Sequence, residues 1–258
     1  MRKLSIIVTV LLLSVSIMAG CASKSGAKDK VVMVGTDAQY PPFEKMMGNR
    51  EIVGFDVDIM NAIAKEEGFS VKMVNTGWDP LFEGINRGKV DAGISAITIT
   101  TDRQKQYDFS DPYFEAKQLI LVPTNSTVTS LKDLKGKKIG VQTATTGEAV
   151  VQAAFGKTYS GIKGYDDTPA AIDDLKLGRL DAVVADNGVV LEYAKKMGKS
   201  KFKVIEDPSF KPEYYGIIVK KGNKELLKKL NDGLKKIKDN GTYDKIFKKY
   251  FNAVPSEK

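Results

Sequence analysis

Two stretches about ninety residues apart share one plan, and that plan narrows the chain to a pair of related α/β units. Asp79-Pro80 predicts a helix running to Arg87, Gly88 ends it, and Lys89-Val90-Asp91-Ala92 leads into an apolar strand. Thr168-Pro169 opens a second helix, Gly178 ends that one, and Arg179-Leu180-Asp181-Ala182 leads into another strand. Each copy offers a capping side chain, a proline at the first helical position and a glycine just past the end. Those residues satisfy free N–H groups at a helix start and let the chain turn at its finish. Helix, tight turn and parallel strand, given twice, predict two α/β lobes of similar build.

Further elements fit around these units. Val31 to Val34 reads as a buried strand ending in Gly35-Thr36-Asp37, Ile59 to Ala64 has helical spacing closed by Gly68, and Val71 to Val74 alternates like a strand. Lys137 to Val141 is a further strand, followed by Thr143 to Gly147 and a helix from about Glu148. Lys203 to Ile205 and Gly216 to Val219 are late strands. Two closing helices, Glu225 to Ile237 and Tyr243 to Tyr250, are parted by the Asn240-Gly241 turn. Strands alternating with helices imply mostly parallel sheets, in which a ligand sits outside the carboxyl ends of the strands.

Composition removes much of enzymology. The 258 residues include one cysteine and no histidine. An internal disulfide framework, a Cys/His zinc site and any histidine-based triad or proton shuttle are thereby excluded. Met1-Arg2-Lys3 is a basic start, Leu4 to Ile17 is apolar, and Met18-Ala19-Gly20 precedes Cys21. Residues 1–20 read as a secretory signal peptide, with an apolar stretch short of the roughly 20 residues of a membrane span. The sole cysteine directly after Ala19-Gly20 resembles a bacterial lipobox, with Met18 in place of the more usual Leu. Cys21 is expected to carry a lipid, and the Ser-, Lys-, Gly- and Ala-rich remainder of residues 21–29 to act as a flexible tether. Ordinary cleavage would instead leave a free thiol. The formal charge is +8, and Lys220 to Lys249 holds eleven lysines against four acids. Without interleaved aromatics in a groove-like pattern, and on an exported chain, these lysines read as a solvated helical face. No nucleic acid is expected.

The predicted strand ends collect a particular set of groups. Asp37 follows the first strand, Ser95, Ala96 and Thr98 follow the Asp91 strand, and Gln142, Thr143, Thr145 and Thr146 follow Val141. Asp186 follows Val183-Val184-Ala185, five positions beyond Asp181 as Ala96 is five beyond Asp91. The set is polar, holds two carboxylates and offers no nucleophile–base pair. A small polar ligand suits it better than bond-breaking chemistry, and no catalytic residue, cofactor or metal is expected.

Four motifs then carry a resemblance: Gly35-Thr36-Asp37-Ala38-Gln39-Tyr40-Pro41-Pro42-Phe43-Glu44, Gly54-Phe55-Asp56-Val57-Asp58, Ile97 to Arg103, and Phe109-Ser110-Asp111-Pro112-Tyr113. Over Lys30 to Phe251 the chain resembles the extracellular solute-binding proteins of family 3, the polar amino-acid-binding proteins of bacterial ABC importers. Gly77 to Phe82 and Gln142 to Gly147 are most similar to binders of arginine, lysine or histidine. The resemblance implies a periplasmic-binding-protein-like type II fold, two α/β lobes joined by a two-segment hinge with the ligand in the cleft. Lobe 1 would comprise residues 30–112 and 216–258, lobe 2 residues 118–210, and the hinges residues 113–117 and 211–215.

The same resemblance implies roles. Arg103 would clamp the ligand α-carboxylate with its planar fork. Ser95, Ala96 through its backbone, Thr98 and Thr146 would hydrogen-bond to the α-carboxylate or α-ammonium. Asp186 would take the α-ammonium, Tyr40 and Trp78 would enclose the side-chain stem, and Asp37 would face its distal end. With Arg103 and Asp186 matched to the backbone charges, Asp37 is left over, and a cationic side chain would complete it. Gln142 would not repel such a side chain. Glu44 is a possible second acid. The implied partners are a small-molecule amino acid and the permease subunits of the importer. The protein would be a monomer, exported to the outer face of the cell membrane, lipid-anchored there, or to the periplasm. A glutamine or other polar amino-acid binder is the alternative. A dehydratase-like enzyme and a sensor's ligand-binding module share the scaffold, but the enzyme would need a positioned acid or base and the sensor a separate signalling partner.

Overall fold

The computed structural model describes residues 31–198 and 201–252. The expected signal peptide, Cys21 and the expected tether lie outside them. The first half of the chain forms β1 (Val32–Thr36), β2 (Gln39–Tyr40), β3 (Glu44–Met46), β4 (Ile52–Val53), α1 (Phe55–Glu67), β5 (Val71–Asn75) and α2 (Trp78–Asn86). Then come β6 (Ala92–Gly93), α3 (Thr101–Gln106), β7 (Tyr107–Phe109), β8 (Phe114–Ala116) and β9 (Gln118–Pro123). A 3-10 turn at Leu131–Leu134 leads to β10 (Ile139–Gln142), α4 (Thr146–Phe155), β11 (Ile162–Tyr165), α5 (Thr168–Lys176), β12 (Ala182–Asp186) and α6 (Asn187–Met197). The chain closes with β13 (Phe202–Ile205), β14 (Glu213–Tyr215), β15 (Ile218–Lys220), α7 (Lys224–Asp239) and α8 (Thr242–Phe251).

Two five-stranded sheets result, ordered β5-β1-β6-β15-β7 and β11-β10-β12-β9-β13. Each anchors one sheet-bearing lobe. Four of the five strands in each sheet point the same way, as expected, but each sheet is mixed: β15 in one and β9 in the other run antiparallel to both neighbours. The physical reason lies in how these two strands arrive. β9 follows β8 after a single residue and β15 follows β14 after two, without the crossover helix that would return the chain parallel. β8 pairs antiparallel with β14, Phe114 opposite Tyr215 and Ala116 opposite Glu213, so the two chain crossings between the sheets lie side by side.

Alternation along β1 sends Val32 and Val34 to one face, against Phe55, Ile59, Met60 and Ile63 of α1 and Leu230, Leu234 and Ile237 of α7. Met33 points the other way, toward Leu81 and Ile85 of α2. In the second lobe Val151 of α4 covers one face, and Ala171, Ile172 and Leu175 of α5 with Val190 of α6 cover the other.

The repeated units depart from expectation at their helix starts. α2 begins at Trp78, with Gly77 at φ 77° as N-cap and no side-chain cap, so Pro80 is its third residue. In α5 the cap is Asp167, which accepts from the Ala170 N–H, while the buried Thr168 hydroxyl is spent on Gln142 Oε1 at 3.0 Å. The glycines behave as expected, Gly88 at φ 68° and Gly178 at φ 70°. The paired aspartates are strand pins: Asp91 accepts the Met33 N–H at 2.9 Å and Asp181 the Lys138 N–H at 2.7 Å.

One glycine governs how α1 meets the site. Gly54 sits at φ 150°, and a Cβ there would stand 2.0 Å from the Phe43 carbonyl oxygen. The next two amides, of Phe55 and Asp56, donate to the Pro42 and Phe43 carbonyls at 3.0 Å. Only a residue without Cβ lets the helix start lie against that segment. Gly54→Ala is expected to lower stability by at least about 2 kcal/mol, combining backbone strain with overpacking, as measured by urea unfolding.

Candidate functional site

The carboxyl ends of both sheets face one narrow cavity with about 20 Å³ of free volume, room for about one water molecule. Asp37, Tyr40, Trp78, Ser95, Ala96, Thr98 and Arg103 line it from the first lobe, and Gln142, Thr145, Thr146 and Asp186 from the second. The ten residues given ligand roles by the resemblance meet there, together with the strand-end Thr145; Thr143 is not among the lining residues. Thr145 earns its place as the N-cap of α4, accepting the Glu148 N–H at 3.2 Å.

Contacts between groups of the two lobes close around this space. Tyr40 donates its hydroxyl to Asp186 Oδ2 at 2.8 Å, and Gln142 Nε2 donates to Asp37 Oδ2 at 3.2 Å. Arg103 Nη2 and Trp78 Nε1 both donate to the Ala144 carbonyl, at 3.2 and 3.3 Å. Arg103 also donates from Nη1 to the Thr98 carbonyl at 3.0 Å, and its guanidinium lies 5.1 Å from the Trp78 ring centroid and 5.4 Å from that of Phe82. Burial lowers its pKa, while the charges of Asp186 and Glu213 act against that loss. A guanidinium so stacked keeps its charge and has further N–H donors for a carboxylate.

The acids differ in how they are satisfied. Asp186 is buried yet accepts from Tyr40, from Tyr215 at 2.6 Å and from Gln118 Nε2. Burial first, and the nearby Glu213 charge second, still push its carboxyl up to about 6. Asp37 is also buried, and its pKa is raised by that burial against the opposing amide of Gln142. Gln142 is itself held, donating to the Asp166 carbonyl at 3.1 Å while accepting from Thr168.

Two expected contributors have their hydrogen atoms committed inside the first lobe. The Ser95 hydroxyl donates to Glu44 Oε1 at 2.7 Å and accepts the Asp37 N–H at 3.0 Å. The Ala96 N–H, on a residue at φ 47°, donates to Asp56 Oδ2 at 2.8 Å. Glu44 is fully buried behind Ser95 and does not line the cavity. Sequence reading missed Glu213 and Tyr215 of β14 and Gln118 of β9. Period-two alternation in β14 was the available signal, since Glu213 and Tyr215 share a face and Tyr214 between them is exposed.

The pattern of one known family covers this whole arrangement. Residues 32–253 match the bacterial extracellular solute-binding proteins, family 3. The chain belongs to that family. Among curated relatives it is 40% identical over 231 residues to a "Probable histidine-binding protein" of Neisseria gonorrhoeae, covering 89% of this chain and 86% of the relative. It is 38% identical over 256 residues to "ABC transporter arginine-binding protein 1" of Escherichia coli, covering 97% and 99%. Among solved structures, the arginine-, lysine-, histidine-binding protein ArtJ of Geobacillus stearothermophilus superimposes with a TM-score of 0.84 at 49% identity, over 88% of this chain and 97% of that one. The fold is the two-lobed α/β type of the periplasmic binding proteins, and the family is extracellular. These close homologues are transport binding proteins rather than enzymes.

Behind the cavity wall, the buried Glu44 Oε2 and Asp56 Oδ1 have no hydrogen-bond partner and each carboxyl perturbs the other, so one proton shared between them would satisfy both. Asp56 is the natural anion of the pair, because it receives the Ala96 N–H and the Tyr113 hydroxyl at 2.8 Å each. Glu44 is therefore the protonated member, held well above the usual carboxylate range by burial and by the charge of Asp56. A raised folded-state pKa contributes stability that is full below the unfolded value of about 4.3 and is lost as pH climbs through the folded one. Glu44→Gln keeps a donor for Asp56 and an acceptor for Ser95 without that loss. Its melting temperature relative to wild type is expected to rise between pH 4 and pH 8 by at least about 2–4 °C, the equivalent of 1 kcal/mol in a chain of this size. A difference that stays flat across that range would contradict the shared proton.

Proposed function

We propose that this chain is the substrate-binding lipoprotein of an ABC amino-acid importer, capturing a basic L-amino acid (arginine, lysine or histidine) and delivering it to the membrane permease. The observation that carries the reading is Asp37, a buried carboxylate across from which the second lobe offers the neutral amide of Gln142. With Arg103 available to an α-carboxylate and Asp186 to an α-ammonium, Asp37 supplies the counter-charge for a cationic side chain. Tyr40 and Trp78 flank the stem. The names of the arginine- and histidine-binding relatives point the same way.

In this reading residues 30–112 with 216–258 form one lobe, residues 118–210 the other, and residues 113–117 and 211–215 the hinge. The adjacent pairing of β8 with β14 supports it, because two short antiparallel strands can twist together while each sheet stays rigid. The chain works as a monomer.

Asp37→Asn keeps shape and one acceptor but removes the charge. Calorimetric titration of the protein truncated before Cys21 with all twenty amino acids is expected to show preference for arginine, lysine or histidine over glutamine. Asp37→Asn is expected to weaken arginine or lysine by about 2–5 kcal/mol and glutamine by no more than about 1.5–3 kcal/mol, narrowing the gap. Wild type binding glutamine at least as tightly as arginine or lysine would replace the basic ligand with an amide.

The anchor rests on Cys21. An acyl chain contributes roughly 0.8 kcal/mol per buried methylene, and stable anchoring takes two signals such as dual acylation. Wild type is expected in the membrane fraction and Cys21→Ala in the soluble fraction with unchanged ligand binding. Wild type recovered soluble and without lipid by mass spectrometry would remove the anchor.

A further inference from the structure

Glu213 lies on β14, in the second of the two chain crossings, and it sits under a part of the cavity wall shared by both lobes. Its Oε2 accepts the Thr146 hydroxyl at 2.7 Å and the Thr98 hydroxyl at 3.1 Å, and its Oε1 accepts Gln118 Nε2 at 3.4 Å. Thr98 comes from the first lobe and Thr146 from the second, and both line the cavity. A hydroxyl has one proton. With both threonine protons drawn to the carboxylate, and Thr146 Oγ1 also accepting Gln118 Nε2 at 3.3 Å, each hydroxyl keeps at least one lone pair for the cavity.

Those two threonines thus form an accepting surface backed by negative charge. A ligand carboxylate placed there would meet lone pairs and the charges of Glu213 and Asp186, whereas an ammonium with three N–H groups matches it. Arg103 stands beside this surface, since its Nη1 donates to the Thr98 carbonyl at 3.0 Å. An amino acid carries its α-ammonium and α-carboxylate on one carbon, and neighbouring accepting and donating surfaces suit that pair.

We infer that Glu213 is a positioning and specificity-determining residue that, by claiming the hydroxyl protons of Thr98 and Thr146, makes that wall accept the ligand α-ammonium and leaves the α-carboxylate to Arg103. The inference rests on the amino-acid-binding reading and goes beyond it, because the two threonines could otherwise serve either backbone group. It also gives the hinge strand a part in recognition.

The test compares two probes by calorimetry, L-arginine and 5-guanidinopentanoate, which differ by the α-amino group. Glu213→Gln removes the charge and places an amide donor where an acceptor stood. The variant is expected to bind L-arginine about ten- to a hundredfold more weakly, the range for a lost hydrogen bond to a charged group, and 5-guanidinopentanoate within about threefold of wild type. Equal weakening of both probes would show a role in closure or folding and overturn the inference, as would no change in either. Should Glu213→Gln fail to fold, Thr146→Val removes the accepting hydroxyl at constant shape and is expected to show the same selective loss; equal loss there overturns the inference too. If wild type binds another amino acid instead, that compound and its des-amino analogue replace the two probes. Wild type that binds no amino acid overturns the underlying reading and this inference with it, whereas binding with an unaltered preference in the variants overturns the inference alone.

Discussion

Negative charge held away from water is the constraint around which this molecule is built. Asp37, Asp186 and Asp56 are buried and Glu213 is half-buried, all within reach of one cavity or its back wall, with Arg103 the cation that shares the space. A buried carboxylate is tolerable when donors surround it or when it keeps a proton. The fold uses both solutions: Asp186 is surrounded by two tyrosine hydroxyls and an amide, and Glu44 keeps its proton beside Asp56. Asp37 has less, an amide from across the cleft, and the proposed cationic side chain would meet that deficit.

The sheets explain why these groups converge. Parallel strands end together, so the residues after β1, β6, β10 and β12 are delivered to the same edge of each lobe. Asp37, Ser95, Gln142 and Asp186 stand at those ends. The aspartate of each repeated unit, Asp91 or Asp181, pins a backbone amide next to the neighbouring strand, and this fixes the register on which the convergence depends.

Much of this was legible in the sequence because it follows from local rules. Helix stops at Gly88 and Gly178 need a left-handed residue, and strand-end polar groups in an α/β chain announce a cleft. What escaped has equally specific causes. The caps were displaced, to Gly77 and Asp167, because a glycine can start a helix without a side-chain bond and because Gln142 claims the Thr168 hydroxyl from 26 residues away. The sheets are mixed because β9 and β15 enter from the chain crossings, and neither hydropathy nor turn residues encode direction of entry. Glu213 and Tyr215 were missed because a segment taken as a connector was not asked where its side chains point. Glu44, a possible second acid from its motif, is buried behind Ser95 and does not line the cavity, and only the packing shows that.

The crossings therefore carry more than the chain. Tyr113 and Tyr215, side by side at one end of the β8–β14 pair, place their hydroxyls on Asp56 and Asp186, one carboxylate from each lobe. Glu213 gathers a hydroxyl from each lobe on the same short strand. Thr98 forms an isolated bridge with Tyr215, so a cavity-lining segment of the first lobe is tied by backbone to the strand whose side chains reach groups of the second lobe. The proposed rotation between the lobes would change these contacts, because their donors and acceptors belong to both. Under the proposed hinge, closure would therefore be coupled to the pairing of these hydroxyls, and the charge of a ligand in the cavity would act on both together.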